Sequence, residues 1–439
     1  MTATYWLERA WTGTGPVRDR LLVDVEDGVF TRVAPGPPEG ATRLPGLTVP
    51  GLANCHSHAF HRALRGRTQR GRGSFWTWRE QMYDAASRLT PDSYFDLARA
   101  AYREMVGVGF TSVGEFHYLH HGPGGTPYDD PNAMSHALLA AAADAGIRIT
   151  LLDTCYLTSA IGAEPQGVQA RFSDGDAGRW ADRVEALGLP RDDVRVGAAI
   201  HSVRAVPRDQ MRHVVDWAES HRAPLHAHLS EQPAENDACL AAYAATPTEV
   251  LAEAGALGPR STVVHATHLR DRDIDLIGEA GTHACFCPTT ERDLGDGVGP
   301  SRALHEAGSP LTLGSDSHAV VDPFEEMRAV ELDERLASRQ RGHWSAAELL
   351  AAASYDGHRS LGFADVGRIE VGARADLVTL DTVGPRTAGT GADEATAVFA
   401  AGGADVVHVV RDGVVVSTRH DRRDVGAELD RVVRAIWED

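Results

Sequence analysis

Residues 51–64, GLANCHSHAFHRAL, follow the apolar run LPGLTVP and carry His56, His58 and His61 within one short stretch. In an extended strand, residues i and i+2 point to the same side. We therefore predict a buried strand whose end aims His56 and His58 at one point. Two crowded imidazoles are costly unless a divalent cation organises them. Taken alone, however, the His-x-His pair also fits ordinary polar residues at a strand end.

Around this stretch, from about residue 50 to 361, short apolar runs alternate with longer amphipathic ones, which is typical of βα units. Thr90 and Pro91 mark a helix start for the segment 91–107. The sequence therefore predicts an α/β fold, a (β/α)8 TIM-type barrel over 51–361. The eight candidate strands are 49–55, 111–116, 148–154, 194–200, 224–230, 262–268, 283–288 and 311–316.

The two ends of the chain share a different pattern. Residues 3–50 and the segment after 362 consist of short β-like runs separated by Gly and Pro. We expect 1–50 and 362–421 to pair into one small composite β-sandwich domain beside the barrel. An amphipathic run at 422–439 predicts a C-terminal helix.

Further metal-type side chains recur at the ends of later candidate strands. In a (β/α)8 barrel the carboxyl ends of the strands form the active-site face, so side chains from separate strands meet there. This recurrence predicts a metal site rather than scattered core histidines. The side chains are His226, His228 and Glu231, then His265 and His268, then Asp316 and His318.

The amino-acid composition indicates the cellular compartment and the classes of partner that the protein can have. The chain has 439 residues, 43% of them hydrophobic, five cysteines and a formal net charge of −19. The charge disfavours nucleic acid and anionic membrane surfaces as partners. An odd, small number of cysteines, without a signal peptide or a long apolar run, indicates a cytoplasmic protein.

The sequence contains no lysine, so all 43 basic residues are arginine. Codon bias in a GC-rich genome is the simplest explanation. The consequence is chemical: neither a lysine amine nor a carbamylated lysine can take part in any mechanism here.

The motif PGLANCHSH, the histidines of the fifth and sixth strands and GSD at 314–316 resemble the amidohydrolase superfamily, in its mononuclear deaminase branch. The binuclear members bridge two metals with a carbamylated lysine, which this chain lacks. The resemblance therefore implies one divalent metal, Zn²⁺ in the first place with Fe²⁺ as an alternative. The implied ligands are His56, His58, His228 and Asp316.

The implied chemistry is hydrolytic. A bound Zn²⁺ lowers the pKa of its water to about 7, so that hydroxide attacks the substrate carbon. Asp316 and His265 are expected to handle the water proton, and Glu231 to protonate the leaving nitrogen. His226 and His268 compete for such roles. We interpret His226 as a hydrogen-bonded core residue and His268 as a loop residue.

The loops FWTWRE, EFHYLHH, HSVRAV and CPTTERDLGDG are similar to those of the formimidoylglutamate deiminases of bacterial histidine degradation. Two of them supply Arg79 and Arg204, whose planar forks suit a dicarboxylate substrate. The resemblance implies hydrolysis of N-formimidoyl-L-glutamate to N-formyl-L-glutamate and ammonia by a homodimer. It also implies hydrogen bonds to the substrate from Tyr118 and His201. The family commonly has glutamine at the position of His61, so His61 is the least certain substrate contact.

Two alternatives stay open at this point. A related deaminase acting on a guanidino acid or a nucleobase would share the metal motif, although a nucleobase offers no carboxylate to two arginines. A metal-free scaffold barrel would also share the fold, but such a protein has no use for the complete set of ligands and acids. A second metal site at His117, His120 and His121 is the remaining possibility, for which we favour structural hydrogen bonding.

Overall fold

The structure is a computed structural model that describes residues 2–188 and 192–438, without the side chain of Phe75. Met1 and Asp439, which the expected domain and helix bounds include, lie outside the described residues. The strands in these ranges are β1 Thr2–Ala10, β2 Arg18–Glu26, β3 Val29–Pro35, β4 Thr42–Pro50, β5 Leu52–Ser57, β6 Phe110–His117, β7 Arg148–Cys155, β8 Val194–Ile200, β9 Leu225–Leu229, β10 Ser261–His265, β11 His283–Phe286, β12 Leu311–Leu313, β13 Leu377–Leu380, β14 Val406–Arg411 and β15 Val414–Thr418.

Strands β5 to β12 form one eight-stranded sheet in chain order, and every neighbouring pair is parallel. The sheet closes where Ser57 bridges to Asp316. At this closure the N–H of His58 donates to the carbonyl oxygen of Asp316 at 3.3 Å. The predicted (β/α)8 barrel is confirmed, and its closure brings the first and last strands together beside His56 and His58.

The terminal segments form a second, seven-stranded sheet in the order β15-β14-β13-β4-β1-β2-β3. Strand β13 pairs antiparallel with β4, which joins the two ends of the chain. Leu7, Val23 and Leu377 are fully buried in a separate apolar cluster on this sheet. The expectation that both chain ends build one β unit apart from the barrel is therefore confirmed.

The first predicted strand, 49–55, is wrong in one respect, because it spans two strands. Strand β4 ends at Pro50 and β5 begins at Leu52. At the junction, the N–H of Gly51 donates to the carbonyl oxygen of Asp376 at 3.0 Å. A Cβ at Gly51 would lie 2.4 Å from Oγ1 of Thr111, so only glycine fits where the chain passes from one sheet to the other.

Most barrel strands are followed by helices. Thr90 caps α2 by accepting from the N–H of Ser93, as the sequence predicts. No described helix is long and apolar enough to cross a bilayer. The helices are α1 Phe75–Arg88, α2 Pro91–Gly107, α3 Ala133–Ala145, α4 Ala177–Glu185, α5 Arg208–His221, α6 Pro233–Tyr243, α7 Pro247–Glu253, α8 Asp271–Glu279, α9 Pro288–Leu294, α10 Ser301–Ala307, α11 Pro323–Ser338, α12 Ala346–Ala351, α13 Gly357–Ser360, α14 Glu394–Phe399 and α15 Arg422–Glu438.

The C-terminal helix α15 packs against α2. Its buried face contains Leu429, Val432 and Ile436. Glu428, on the same helix, accepts from Arg99 of α2 at 2.8 Å. The helix thus covers the outside of the barrel near its first βα unit and leaves the carboxyl ends of the strands open.

Candidate active site

Three imidazoles and one carboxylate converge at the carboxyl ends of the barrel strands. The Nε2 atoms of His56 and His58 each lie 3.3 Å from Oδ1 of Asp316. The Nε2 atom of His228 lies 3.0 Å from that of His56. One ligand atom from each of the four residues lies within 4.8 Å of all the others, and all four residues are buried. The structure therefore brings together the four residues that were expected, from the resemblance, to be metal ligands.

Backbone contacts fix how these ligands face each other. Nδ1 of His58 donates to the carbonyl oxygen of Phe116 at 2.9 Å, which leaves its Nε2 lone pair directed at the centre of the cluster. Asp316 lies beyond the end of β12 with φ of 39°, a left-handed conformation that is strained for this residue. Its N–H donates to the carbonyl oxygen of His56 at 3.0 Å. The barrel closure thus holds Asp316 in the geometry that a ligand position requires.

The charge states of the cluster suit a metal. Burial lowers the pKa of His56 to about 4 and that of His228 well below its usual value, so both imidazoles are neutral. Burial alone would raise the pKa of Asp316, but hydrogen bonds with His56 and His58 hold it well below its usual range. Neutral imidazoles and an ionised carboxylate are the donors that Zn²⁺ takes in catalytic sites, so the residues fit one such ion.

His265 lies between two carboxylates of different character. Its Nε2 atom is 3.8 Å from Oδ2 of Asp316 and 3.9 Å from Oε1 of Glu231. Burial raises the pKa of Glu231, whereas that of Asp316 is lowered. Carboxyl groups whose pKa values are pushed apart in this way divide the work of acid and base. The geometry therefore allows Glu231 to hold a proton while Asp316 stays ionised.

Glu291 is a site residue that was not predicted from the sequence. This residue lies on α9 and is buried, and its Oε1 is 3.4 Å from Nδ1 of His265. The same oxygen accepts from the N–H of Cys287 at 2.9 Å. Glu291 thus orients the imidazole of His265 so that Nε2 faces Asp316 and Glu231. The segment CPTTERDLGDG was recognised as a loop, but nothing in its spacing indicates which strand its glutamate reaches.

Replacing Glu291 with leucine is expected to lower kcat by about 10- to 100-fold, the range found for groups that orient a ligand or base. Glu291→Gln retains an oxygen acceptor for Nδ1 of His265 and is expected to recover most of that loss. Metal content should be equal in both variants. Steady-state kinetics with metal analysis checks this, and equal kcat values for the leucine and glutamine variants would contradict the orienting role.

A cavity of about 560 Å³ opens from the cluster. Its wall includes the five side chains that the sequence assigned to substrate binding. Tyr118 and His61 are joined by a hydrogen bond of 3.0 Å between the hydroxyl oxygen and Nε2. The predicted residues on the wall are His58, His61, Arg79, Tyr118, His201, Arg204, His228, Glu231, His265 and Asp316.

Two arginines give the cavity a positive end. The guanidinium of Arg79 lies 4.4 Å from the ring centroid of Trp76 and 5.6 Å from that of Tyr83. Among the described residues, no carboxylate lies within ion-pair distance of Arg79 or of Arg204. In a protein with a net charge of −19, two guanidinium groups in one pocket without a close ion pair are suited to an anionic ligand, although Glu231 and Glu235 act on the charge of Arg204 from a greater distance.

Three other histidines near the site have hydrogen-bond or ion-pair partners within the fold, and His117 differs from them. Nε2 of His226 donates to the carbonyl oxygen of Ser360 at 3.3 Å, which places it in the core. His120 donates to the carbonyl oxygen of Thr154 at 2.9 Å, and His121 lies 3.0 Å from a carboxylate oxygen of Asp174. His117 is fully buried, and neither of its ring nitrogens finds a hydrogen-bond partner among the described residues.

A second metal at His117, His120 and Asp153 is disfavoured by charge. Ligand atoms of these three residues come within 4.8 Å of one another. Both carboxylate oxygens of Asp153, however, already accept from the guanidinium of Arg183, at 2.8 and 3.0 Å. A dication there would have to compete with that guanidinium.

We therefore expect one equivalent of metal per chain. His228→Ala should lose the metal, because a three-donor set binds Zn²⁺ much more weakly. His120→Gln, the matched control in the other histidine group, should keep it. Metal analysis of the purified variants checks both results. Two equivalents in the unaltered protein, or loss of one equivalent in His120→Gln, would contradict a single centre.

Comparisons with known proteins agree with the fold. The amidohydrolase family profile matches residues 47–416. A formimidoylglutamate deiminase from Pseudomonas aeruginosa is 36% identical over 401 residues, which cover 88% of each chain. A crystal structure of an amidohydrolase from Brucella melitensis is 30% identical with a TM-score of 0.89 and covers 99% of both chains. An adenosine deaminase from Xanthomonas campestris with bound zinc, 24% identical with a TM-score of 0.84, covers 100% of this chain and 99% of its own and shares the fold.

Proposed function

The chain belongs to the amidohydrolase family, and from that premise we propose that it hydrolyses N-formimidoyl-L-glutamate to N-formyl-L-glutamate and ammonia. The observation that carries the proposal is the layout of one cavity. Its inner end holds the three imidazoles and the carboxylate of Asp316, and its wall presents Arg79 and Arg204 without an ion-pair partner among the described residues. An amidine that bears two carboxylates fits both ends.

The family is metal-dependent, and His56, His58, His228 and Asp316 would hold one divalent cation. Two features of the donor set, its neutral imidazoles and the orientation of His58 by Phe116, support Zn²⁺, with Fe²⁺ as the alternative. When bound, the ion polarises the amidine and provides a water that ionises near neutral pH.

The protein's own groups move the protons. Asp316, which stays ionised, accepts the first proton that the attacking water gives up, and His265, 3.8 Å from it, holds that proton together with it. The water oxygen adds to the carbon of the protonated formimidoyl group, and the bond from that carbon to the terminal NH₂ then breaks. Glu231, whose pKa is raised by burial, supplies a proton to that nitrogen, which leaves as ammonia. The proton left on the added oxygen passes to Glu231, once Glu231 has given up its own proton, as the formyl C=O forms.

The substrate end is assigned to the five wall residues named from the sequence. Arg79 and Arg204 pair with the two carboxylates. Tyr118 and His201 add hydrogen bonds, and His61, in place of the family's usual glutamine, acts together with the Tyr118 hydroxyl that it contacts. The resemblance and the similarity to the Pseudomonas aeruginosa deiminase support this assignment. The resemblance also supports a role of the reaction in histidine degradation.

Ammonia release from a panel of substrates tests the function. We expect turnover of N-formimidoyl-L-glutamate and a kcat/KM at least about 10³-fold lower for guanidino acids, nucleobases and adenosine, because these lack one or both carboxylates. Activity on a nucleobase or a guanidino acid with none on N-formimidoyl-L-glutamate would favour the related deaminase instead. No activity and no metal in carefully prepared protein would favour a scaffold.

We also propose that the protein acts as a homodimer in the cytoplasm. The family resemblance supports the dimer. The five cysteines support a reducing compartment, because all are free and buried. Sedimentation equilibrium should give twice the chain mass, and a monomer at micromolar concentration would remove the dimer from the proposal.

A further inference from the structure

A glutamine behind the cavity wall bonds to two tyrosines that line it. Gln169 is 6% exposed and lies in a short turn at Gly167–Phe172. Its Nε2 donates to the hydroxyl oxygen of Tyr83 at 2.9 Å and to that of Tyr156 at 2.8 Å. Both tyrosines face the cavity, whereas Gln169 does not reach it.

The orientation of the Gln169 amide is fixed by a third bond. Its Oε1 accepts from the backbone N–H of Gln166 at 3.1 Å. A backbone N–H can only donate, so the carbonyl oxygen of the amide must face it, and both amide hydrogens must point to the tyrosines. Each tyrosine oxygen is therefore an acceptor on its buried side, and its own O–H proton remains available to an acceptor elsewhere.

The two hydroxyls belong to the same wall as the arginines. The guanidinium of Arg79 lies over the ring of Tyr83, 5.6 Å from its centroid. Burial raises the pKa of Tyr156 to about 12 although Arg204 acts to lower it, so the hydroxyl keeps its proton at neutral pH. Arg79 and Arg204 thus present only donors to the cavity, and each tyrosine hydroxyl, with one lone pair taken by Gln169, has its O–H proton to offer there.

We propose that Gln169 is a positioning residue that turns the hydroxyl protons of Tyr83 and Tyr156 toward the cavity, which makes this wall selective for carboxylates over amides. A carboxylate offers acceptors only, so it suits a wall on which the two guanidinium groups and the two O–H protons are donors. A primary amide must direct its own N–H₂ at some of the same donors and leave those donors unpaired. A binding site discriminates most strongly against a ligand that leaves its buried polar groups unpaired. The identity of the diacid rests on the proposed function, but the polarity of the wall does not.

Binding of the product tests the wall without turnover. Calorimetry would measure the dissociation constants of N-formyl-L-glutamate and of N-formyl-L-glutamine for the unaltered protein, Gln169→Leu, the Tyr83→Phe/Tyr156→Phe double variant and the triple variant. We expect Gln169→Leu and the double variant each to weaken diacid binding about 10-fold, which corresponds to about 1.4 kcal/mol. The preference for the diacid over the amide should fall by a similar factor.

The triple variant separates positioning from general structural support. If Gln169 acts through the two hydroxyls, its removal adds nothing once they are gone, so the triple variant should bind like the double variant. Metal content should be unchanged throughout. An additive loss in the triple variant, or Gln169→Leu with the affinity and preference of the unaltered protein, would overturn the proposal.

The same measurements keep this proposal distinct from the proposed function. Suppose that the unaltered protein binds N-formyl-L-glutamate, that Gln169→Leu weakens this binding, and that no ammonia is released from N-formimidoyl-L-glutamate. The proposed role of Gln169 is then supported and the proposed reaction is contradicted. If the unaltered protein binds no diacid, both the proposed role of Gln169 and the proposed reaction are contradicted. If the tyrosine double variant does not fold, Tyr156→Phe alone and its combination with Gln169→Leu form a second cycle. There Gln169→Leu should cost less affinity than in the unaltered protein, because only Tyr83 is left for it to position, and an undiminished loss would overturn the proposal.

Discussion

Replacing Glu231 with glutamine is expected to leave the metal in place and to lower kcat by about 10³-fold, within the range that general acid catalysis contributes. Glutamine has the size of glutamate but cannot deliver a proton to the departing nitrogen. The carboxyl group of Glu231 is 3.9 Å from His265, and it is not among the four converging ligands. The loss should therefore fall on turnover, with KM changed by a small factor.

Two controls accompany this measurement, a variant of another acid and metal analysis of each protein. Glu235→Gln changes another acid whose pKa burial raises, to about 7, but which does not line the cavity, so its kcat should stay within a few-fold of the unaltered value. Metal analysis accompanies each assay. If Glu231→Gln loses its metal, Glu231 is a ligand and the division between acid and ligands is wrong; if it keeps full kcat, the proton comes from another group.

Arg204→Met is expected to lower kcat/KM by about 10²-fold or more with full metal content. The substitution keeps much of the side-chain volume but removes the fork that pairs with a carboxylate. A carboxylate bound in this cavity would then be left without its charged partner, which costs several kcal/mol. The ratio of kcat/KM values between variant and unaltered protein measures the loss directly.

Arg208→Met is the matched control, because Arg208 pairs with Glu253 on the surface and lies outside the cavity. Its kcat/KM should change by less than about 2-fold, which would exclude a general effect of net charge. An Arg204→Met enzyme with the activity of the Arg208 variant would remove Arg204 from the substrate site.

The eight barrel strands were predictable because each buried strand is a short apolar run in the sequence, between more polar segments with a helical pattern. The convergence of the metal-type side chains followed from the same reasoning, whereas the choice of four of them as ligands came from the resemblance to the amidohydrolase superfamily. Once His56 and His58 were placed at one strand end, the topology of a barrel required the ends carrying His228, His265 and Asp316 to meet them. The strands and this convergence need only local periodicity and the closure of the sheet.

Other features were not predictable because they depend on contacts between distant segments. The break at Gly51 arises from Thr111 and Asp376, neither of which is a sequence neighbour. Asp316 lies past a strand of only three residues in a left-handed conformation that no propensity predicts. Gln169 and Glu291 act through partners reached only by tertiary folding, so their residue types gave no signal.

The most direct test of the account is a crystal structure of the zinc-loaded protein with N-formyl-L-glutamate bound. We expect one metal among His56, His58, His228 and Asp316, the formyl group between that metal and Glu231, and the two carboxylates paired with Arg79 and Arg204. A ligand whose carboxylates contact neither arginine, or a metal held by another set of residues, would contradict it.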